Sequence, residues 1–197
     1  MVRGTESFRD RRPTTRSERR SAAKSKRRNA LRTVIEIVAL VVAAFIVAML
    51  VQAFLFKPFT IHQVSMQPTL SDGDRILLNR LAYHFGDPSR GDVVAFDSPV
   101  DESEDLVKRV VAVAGDKVAV RSGVLYVNEV AQDEPYLNES PFSGDFKEIL
   151  VHEDEVFVMG DNRNHSGDSR LFGPIDVGSI IGKAFAIYWP IGHSGGL

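Results

Sequence analysis

From Ile37 to Phe56 the chain runs for 20 residues with Gln52 as its one polar side chain. At about 1.5 Å per residue a helix of that length matches the ~30 Å hydrocarbon core of a bilayer. A soluble helix as long would carry a polar stripe, and this one carries none. The pattern predicts a transmembrane helix over residues 34–56, with Glu36 at its near end, within reach of lipid headgroups. It is longer than the apolar region of a cleaved secretory signal, about 7–15 residues. No small-x-small site follows, since the chain continues Ala53-Phe54-Leu55-Phe56-Lys57-Pro58. The segment reads as an anchor.

Beyond Phe56 the texture changes to short β-type runs separated by turn residues. Strands are predicted at Ile76-Leu77-Leu78, Asp92 to Phe96, Leu106 to Ala114, Glu155 to Met159 and Ile180 to Trp189. Lys117 to Arg121 and Val124 to Val127 flank Ser122-Gly123 and read as a hairpin. Residues 128–150 mix Asn, Asp, Glu, Pro and Ser with scattered aromatics and read as a loop or a poorly formed excursion. No segment after the anchor shows helical periodicity, so residues 57–197 are predicted to form one mainly β domain.

Charge divides the chain at the same boundary. Residues 1–33 hold 12 Lys+Arg against three acids, a net +9, whereas the remainder carries 12 bases and 23 acids, a net −11. The tail lacks apolar residues to bury and is predicted to be disordered. Its place beside the anchor favours attraction to anionic membrane lipid over nucleic-acid binding. Twelve bases before the helix and one, Lys57, just after it predict a cytoplasmic N-terminus and an extracytoplasmic β domain. With no cysteine, disulfides, thiol nucleophiles and Cys-based metal sites are excluded. A phosphate-loop reading of Gly178-x-x-x-Gly182-Lys183-Ala184 fails, being one residue short and lacking the hydroxyl.

Three stretches carry candidate chemistry. The first is Val64-Ser65-Met66-Gln67-Pro68-Thr69-Leu70, eight residues beyond the anchor. It reads either as a bend or as the seat of a serine nucleophile. The second is Lys108, inside the apolar run from Leu106 to Val113. Strand alternation sends Lys108 and Arg109 to opposite faces, so both cannot face water if one face is buried. A lysine among apolar neighbours loses its charge, because desolvation lowers its pKa, and a neutral lysine can activate a serine. The third is Gly160 to Arg170, dense in groups that pair: Asp161, Asn162, Arg163, Ser166, Asp168 and Arg170.

In chain order these stretches resemble the bacterial type I signal peptidases. An anchor is followed by Ser65-Met66-x-Pro68-Thr69-Leu70, Gly91-Asp92-Val93-Val94, Lys108-Arg109 with Gly115-Asp116, Gly-Asp-Asn-Arg-x-x-Ser-x-Asp-Ser-Arg from Gly160, and Gly182-Lys183-Ala184 leading to Trp189-Pro190. The resemblance covers residues 31 to 190. It implies an antiparallel β-sheet catalytic domain and a serine endopeptidase that cleaves exported preproteins after small-x-small sites at the end of their signal peptides. Ser65 would be the nucleophile and Lys108 the general base. Ser166 would hydrogen-bond the lysine amine, Asp168 and Arg170 would pair, and Asp161, Asn162 and Arg163 would shape the loop. Phe59, Ile61, Leu106 and Val107 would line pockets for small side chains. No metal or cofactor is implied.

One position departs from the pattern. Many relatives have Ser or Gly two residues before the nucleophile, and a serine there helps bind the oxyanion; here it is Gln63. The expected oxyanion donors are the Ser65 N–H and the Gln63 amide. Two rivals share part of these features: a self-cleaving Ser-Lys repressor domain, which the anchor disfavours, and a membrane-tethered β-domain that binds peptides without cleaving them.

Overall fold

In the computed structural model, residues 16–101, 103–138 and 144–197 are described. The chain separates into two compact units, residues 1–51 and 52–197. Helix α1 (Arg16–Leu55) contains the segment Asn29–Gln52, 24 residues long and apolar enough to cross a membrane. Glu36 does not stand alone in it: Arg32 Nε lies 3.0 Å from Glu36 Oε1, one turn earlier. The helix begins well before residue 34, so residues 16–33 of the predicted disordered tail are helical, while residues 1–15 of that tail lie outside the described residues. Arg, Lys and Ala are good helix formers, and a helix already formed downstream spares them the cost of nucleation.

The second unit is built of antiparallel β-strands. β1 (Phe56–Thr60) pairs with β2 (Arg75–Asn79), and the sheet continues through β3 (Val93–Asp97) and β4 (Asp105–Val113). A smaller sheet follows, from β5 (Lys117–Arg121), β6 (Val124–Val127), β7 (Val130–Ala131) and β8 (Phe146–Leu150). The chain returns to the large sheet with β9 (Glu155–Met159), the short helix α2 (Ser169–Phe172), β10 (Ile175–Asp176), β11 (Ile180–Trp189) and β12 (Gly195–Gly196). The large sheet has the order β1-β2-β11-β3-β4-β9-β10, with β12 on β11; the small one has the order β7-β6-β5-β8.

β3 explains why this sheet can hold a buried site. Val93 and Ala95 join an apolar cluster with Ile61, Met66, Leu70 and Val107. Val94 and Phe96 join a second cluster with Val110, Val158 and Ile175. Both faces of the central strands are therefore covered, and a polar side chain projecting from β4 meets protein on either side. A third cluster sets the inner face of the small sheet (Val118, Val120, Leu125, Val127) against Phe157 and Met159.

The hairpin at Ser122-Gly123 is present, with φ of 50° and 75° at the two turn residues. Residues 128–150 are not wholly a loop, because β7 and β8 lie within them. β8 directs only Phe146 and Ile149 onto the third cluster. Two inward residues are too few to show a period in sequence, and the strand exists through its pairing with Lys117 to Val120.

Candidate active site

Residues 61–74 leave the β1–β2 pair as a closed loop. Its ends are tied by Ile61 N–H to Asp74 O at 2.8 Å and Gly73 N–H to Ile61 O at 2.9 Å. Met66 and Leu70 are fully buried in the first cluster, and Leu70 N–H donates to Met66 O at 2.9 Å, closing one turn. Two apolar anchors one turn apart hold Ser65 at the edge of the core, where it is 6% exposed.

Lys108 comes from the middle of β4, paired with Val94 of β3. It is 1% exposed, and its Nζ lies 2.6 Å from Ser65 Oγ. Burial in this apolar setting pulls its pKa down from 10.5 to about 8, against the opposing pull of the Asp168 and Asp161 carboxylates. Alternation sends Arg109 to the other face. There it is also covered, held by Asp161 through Nε–Oδ1 and Nη2–Oδ2 contacts of 2.9 and 2.7 Å. Both bases are thus drawn out of water, one with its proton loosened by desolvation and the other kept charged by a carboxylate.

The segment Gly160 to Arg170 wraps the back of Ser65. Asn162 N–H donates to Ser65 O at 2.9 Å, and Asn162 Nδ2 donates to Val64 O at 3.2 Å. Gly160 packs so closely that a Cβ there would overlap the Ser65 carbonyl and the Ser166 hydroxyl. Asp168 is fully buried; it accepts from Gly160 N–H at 3.1 Å, caps α2 and holds Arg170 through two contacts of 2.8 Å. Arg170 Nη2 then donates to Arg163 O at 2.7 Å. Asp161 also accepts from Thr69 Oγ1 at 2.5 Å, joining this segment to the serine loop.

Ser166 departs from the expectation. Its Oγ is buried and makes no hydrogen bond among the described residues, so the bond to the lysine amine is absent here. The lysine amine is directed at Ser65 instead, and the Ser166 hydroxyl rests against Gly160. Gln63 does approach the serine, with Oε1 3.4 Å from Ser65 Oγ, longer than a normal hydroxyl hydrogen bond. As placed, it is the amide oxygen and not the donor nitrogen that faces the serine.

Two cavities meet at Ser65. A small one of about 50 Å³ is lined by Phe59, Ile61, Met66 and Val107. An open cleft of about 680 Å³ is lined by Leu106, Lys108, Val64, His165 and Leu171. The four expected pocket residues therefore border the serine, with Leu106 in the larger space and the other three in the smaller.

The family model described as "Signal peptidase, peptidase S26" matches residues 34–189. The chain belongs to this peptidase family. It is 37% identical over 176 residues to Signal peptidase IB of Staphylococcus aureus, covering 81% of this chain and 91% of that protein. It is likewise 37% identical over 151 residues to Thylakoidal processing peptidase 1, chloroplastic, of Arabidopsis thaliana, covering 72% of this chain and 44% of that one. A crystal structure of a signal peptidase I from Enterococcus faecalis V583 matches at 32% identity and a TM-score of 0.44, over 50% of this chain and 97% of that one. Membership makes the protein a hydrolase of the serine endopeptidase type.

Sequence reasoning missed Glu134 and Tyr136, and it named Thr69 only within the serine motif and not as a partner of Asp161. Arg163 Nη1 and Nη2 reach Glu134 at 2.8 and 2.6 Å, and the Arg109 guanidinium lies 4.1 Å from the centroid of the Tyr136 ring. Glu134 is 29 residues before Arg163 in a stretch without pattern, and no local signal links them.

Proposed function

We propose that this peptidase removes signal peptides from exported preproteins at the membrane surface, with Ser65 as nucleophile and Lys108 as general base. The observation that carries the reading is the 2.6 Å approach of a buried lysine amine to a serine hydroxyl. With a pKa brought down to about 8, an appreciable share of Lys108 is neutral near physiological pH and has a lone pair to offer. The neutral amine takes the Ser65 proton as Oγ attacks the scissile carbonyl. The resulting ammonium returns that proton to the leaving amine, releasing the mature protein and leaving the signal peptide esterified on Ser65. Lys108, neutral again, then takes a proton from water as the water oxygen attacks the ester, and passes that proton to Ser65 Oγ as the signal peptide leaves with a new carboxyl terminus.

The negative oxygen of the tetrahedral intermediate needs donors, each worth about 10²–10³ in kcat where tested. We assign the Ser65 N–H as one and the Gln63 amide as the other; turning that amide about its last torsion brings Nε2 to where Oε1 now stands. The cavity beside Ser65, about 50 Å³ and walled by Phe59, Ile61 and Val107, is narrow and apolar and suits a small side chain. That supports cleavage after small-x-small sequences. The basic tail and the span Asn29–Gln52 support a cytoplasmic N-terminus with the β unit outside. A preprotein incubated with the purified protein, followed by N-terminal sequencing of the product, tests the reading. A new terminus directly after a small residue is expected with wild type and none with Ser65→Ala or Lys108→Met; cleavage by either variant at the native rate would refute it.

A further inference from the structure

We propose that Glu134 and Tyr136, on the segment leaving the small sheet, are positioning residues that hold the Gly160–Arg170 segment against Ser65 and Lys108. The inference rests on the Ser65–Lys108 reading and extends it to a part of the fold remote in sequence.

The chain of contacts is continuous. Glu134 grips the guanidinium of Arg163 with both carboxylate oxygens, and the pair is dry: the two side chains are 7% and 0% exposed. The third nitrogen of the same guanidinium, Nε, donates to Gly160 O at 3.0 Å. Gly160 is the residue on which the Ser65 carbonyl rests, and its own N–H is held by Asp168, one of two carboxylates facing Lys108. Pulling on Glu134 therefore pulls on the floor beneath the nucleophile through one planar side chain. A bidentate arginine fork fixes direction as well as distance.

Tyr136 braces the same clamp from a second side. Its hydroxyl donates to Glu134 Oε1 at 2.7 Å. Burial, with the Glu134 carboxylate beside it, raises the phenol's pKa, so it stays a donor across the working pH range. Its ring lies under Arg109 at 4.1 Å and near Arg163 at 6.0 Å. Arg109 follows Lys108 directly on β4 and binds Asp161, the other carboxylate facing the lysine. The short stretch between β7 and β8 thus touches both Arg109, which holds Asp161, and Arg163, which holds the Gly160 carbonyl.

Without the Glu134 carboxylate the buried Arg163 guanidinium loses the fork that fixes its direction, so the segment should loosen and admit water to Lys108. The lysine pKa then moves back toward 10.5, with Ser65, Asp161 and Asp168 as the groups facing it. In the full-length protein in detergent, Glu134→Gln is expected to lower kcat for preprotein cleavage about 10-fold, within the 10²-fold that a ~1 Å misplacement can cost. KM should stay within about 2-fold, because neither residue lines either cavity at Ser65. The acid limb of the kcat/KM profile should shift to higher pH, and Glu134→Asp should recover part of the loss. A folded Glu134→Gln protein with native kcat and native acid limb overturns the proposal. So does a loss of melting temperature with an unshifted limb, which marks a purely structural pair. Should Glu134→Gln not fold, Tyr136→Phe, which removes only the hydroxyl, is expected to show a smaller shift of the same sign; a native profile there overturns it as well. Ser65→Ala and Lys108→Met run alongside: cleavage by them takes down the dyad and this proposal together, whereas dead dyad variants beside a native Glu134→Gln sink the clamp alone.

Discussion

Lys108 shows how a single residue acquires chemistry from its surroundings. Its ammonium is disfavoured by burial, so its pKa in the fold, about 8, lies below the ordinary 10.5. In this window the unfolded chain binds more protons than the folded one, and stability rises with pH between those two values. Below about 8 both states are protonated and the full cost of burying the charge remains, of order 3 kcal/mol at most. Lys108→Met is thus expected to be inactive yet more stable than wild type near neutral pH. The gap should narrow as pH climbs from about 8 toward 10.5 in chemical denaturation. Wild-type kcat/KM should rise through the same pKa and level off above it. Gly160 is a second case, where absence of a side chain is the function. Gly160→Ala places a methyl against the Ser65 carbonyl, which is backbone and cannot swing aside. A kcat loss of about 10² or more is expected from that displacement of the nucleophile.

At the scale of elements, the 160–170 segment works because α2 is too short to hold itself. Four residues make little helix, and Asp168 supplies its cap, the anchor for Gly160 N–H and the partner of Arg170. Asp168→Ala removes the buried carboxylate that Arg170, the Gly160 N–H and the start of α2 share, at roughly 3–5 kcal/mol. A clear fall in melting temperature is expected, with activity lost even where the protein stays folded. The β5–β6 hairpin offers the opposite test. Ser122 occupies a left-handed conformation at φ 50°, where a Cβ costs about 1–2 kcal/mol relative to glycine. Its N–H bond to Asp145 is backbone and survives substitution. Ser122→Gly is expected to raise stability by up to about 1 kcal/mol in denaturant titrations, with cleavage unchanged.

At the scale of the molecule, an apolar helix and a β unit divide the labour. Twelve bases lie in residues 1–33, and Lys57 follows the apolar run that ends at Phe56. The charge asymmetry favours one orientation in the bilayer. In right-side-out vesicles, protease added outside is expected to digest the β unit and leave an N-terminal tag protected; the reverse protection would mean the opposite topology. Much of this scale was legible beforehand, because membrane thickness and strand alternation are written in local runs of residues. What escaped notice were elements with weak local patterns. β8 exposes three of its five residues, and the stretch with Glu134 and Tyr136 shows no periodicity at all.

Residue order alone determined the anchor, the β character of the outer unit, the opposite facing of Lys108 and Arg109, and by motif the serine and lysine to watch. Each depends on spacing within a few residues, which the backbone converts directly into direction. Tertiary structure alone decided that Lys108 reaches Ser65 across 43 positions, that its amine is dry enough to shed a proton, that Ser166 leaves that amine alone, and that Glu134 closes on Arg163. Desolvation and ion pairing depend on atoms brought from distant parts of the chain, and no local pattern of side chains carries that information.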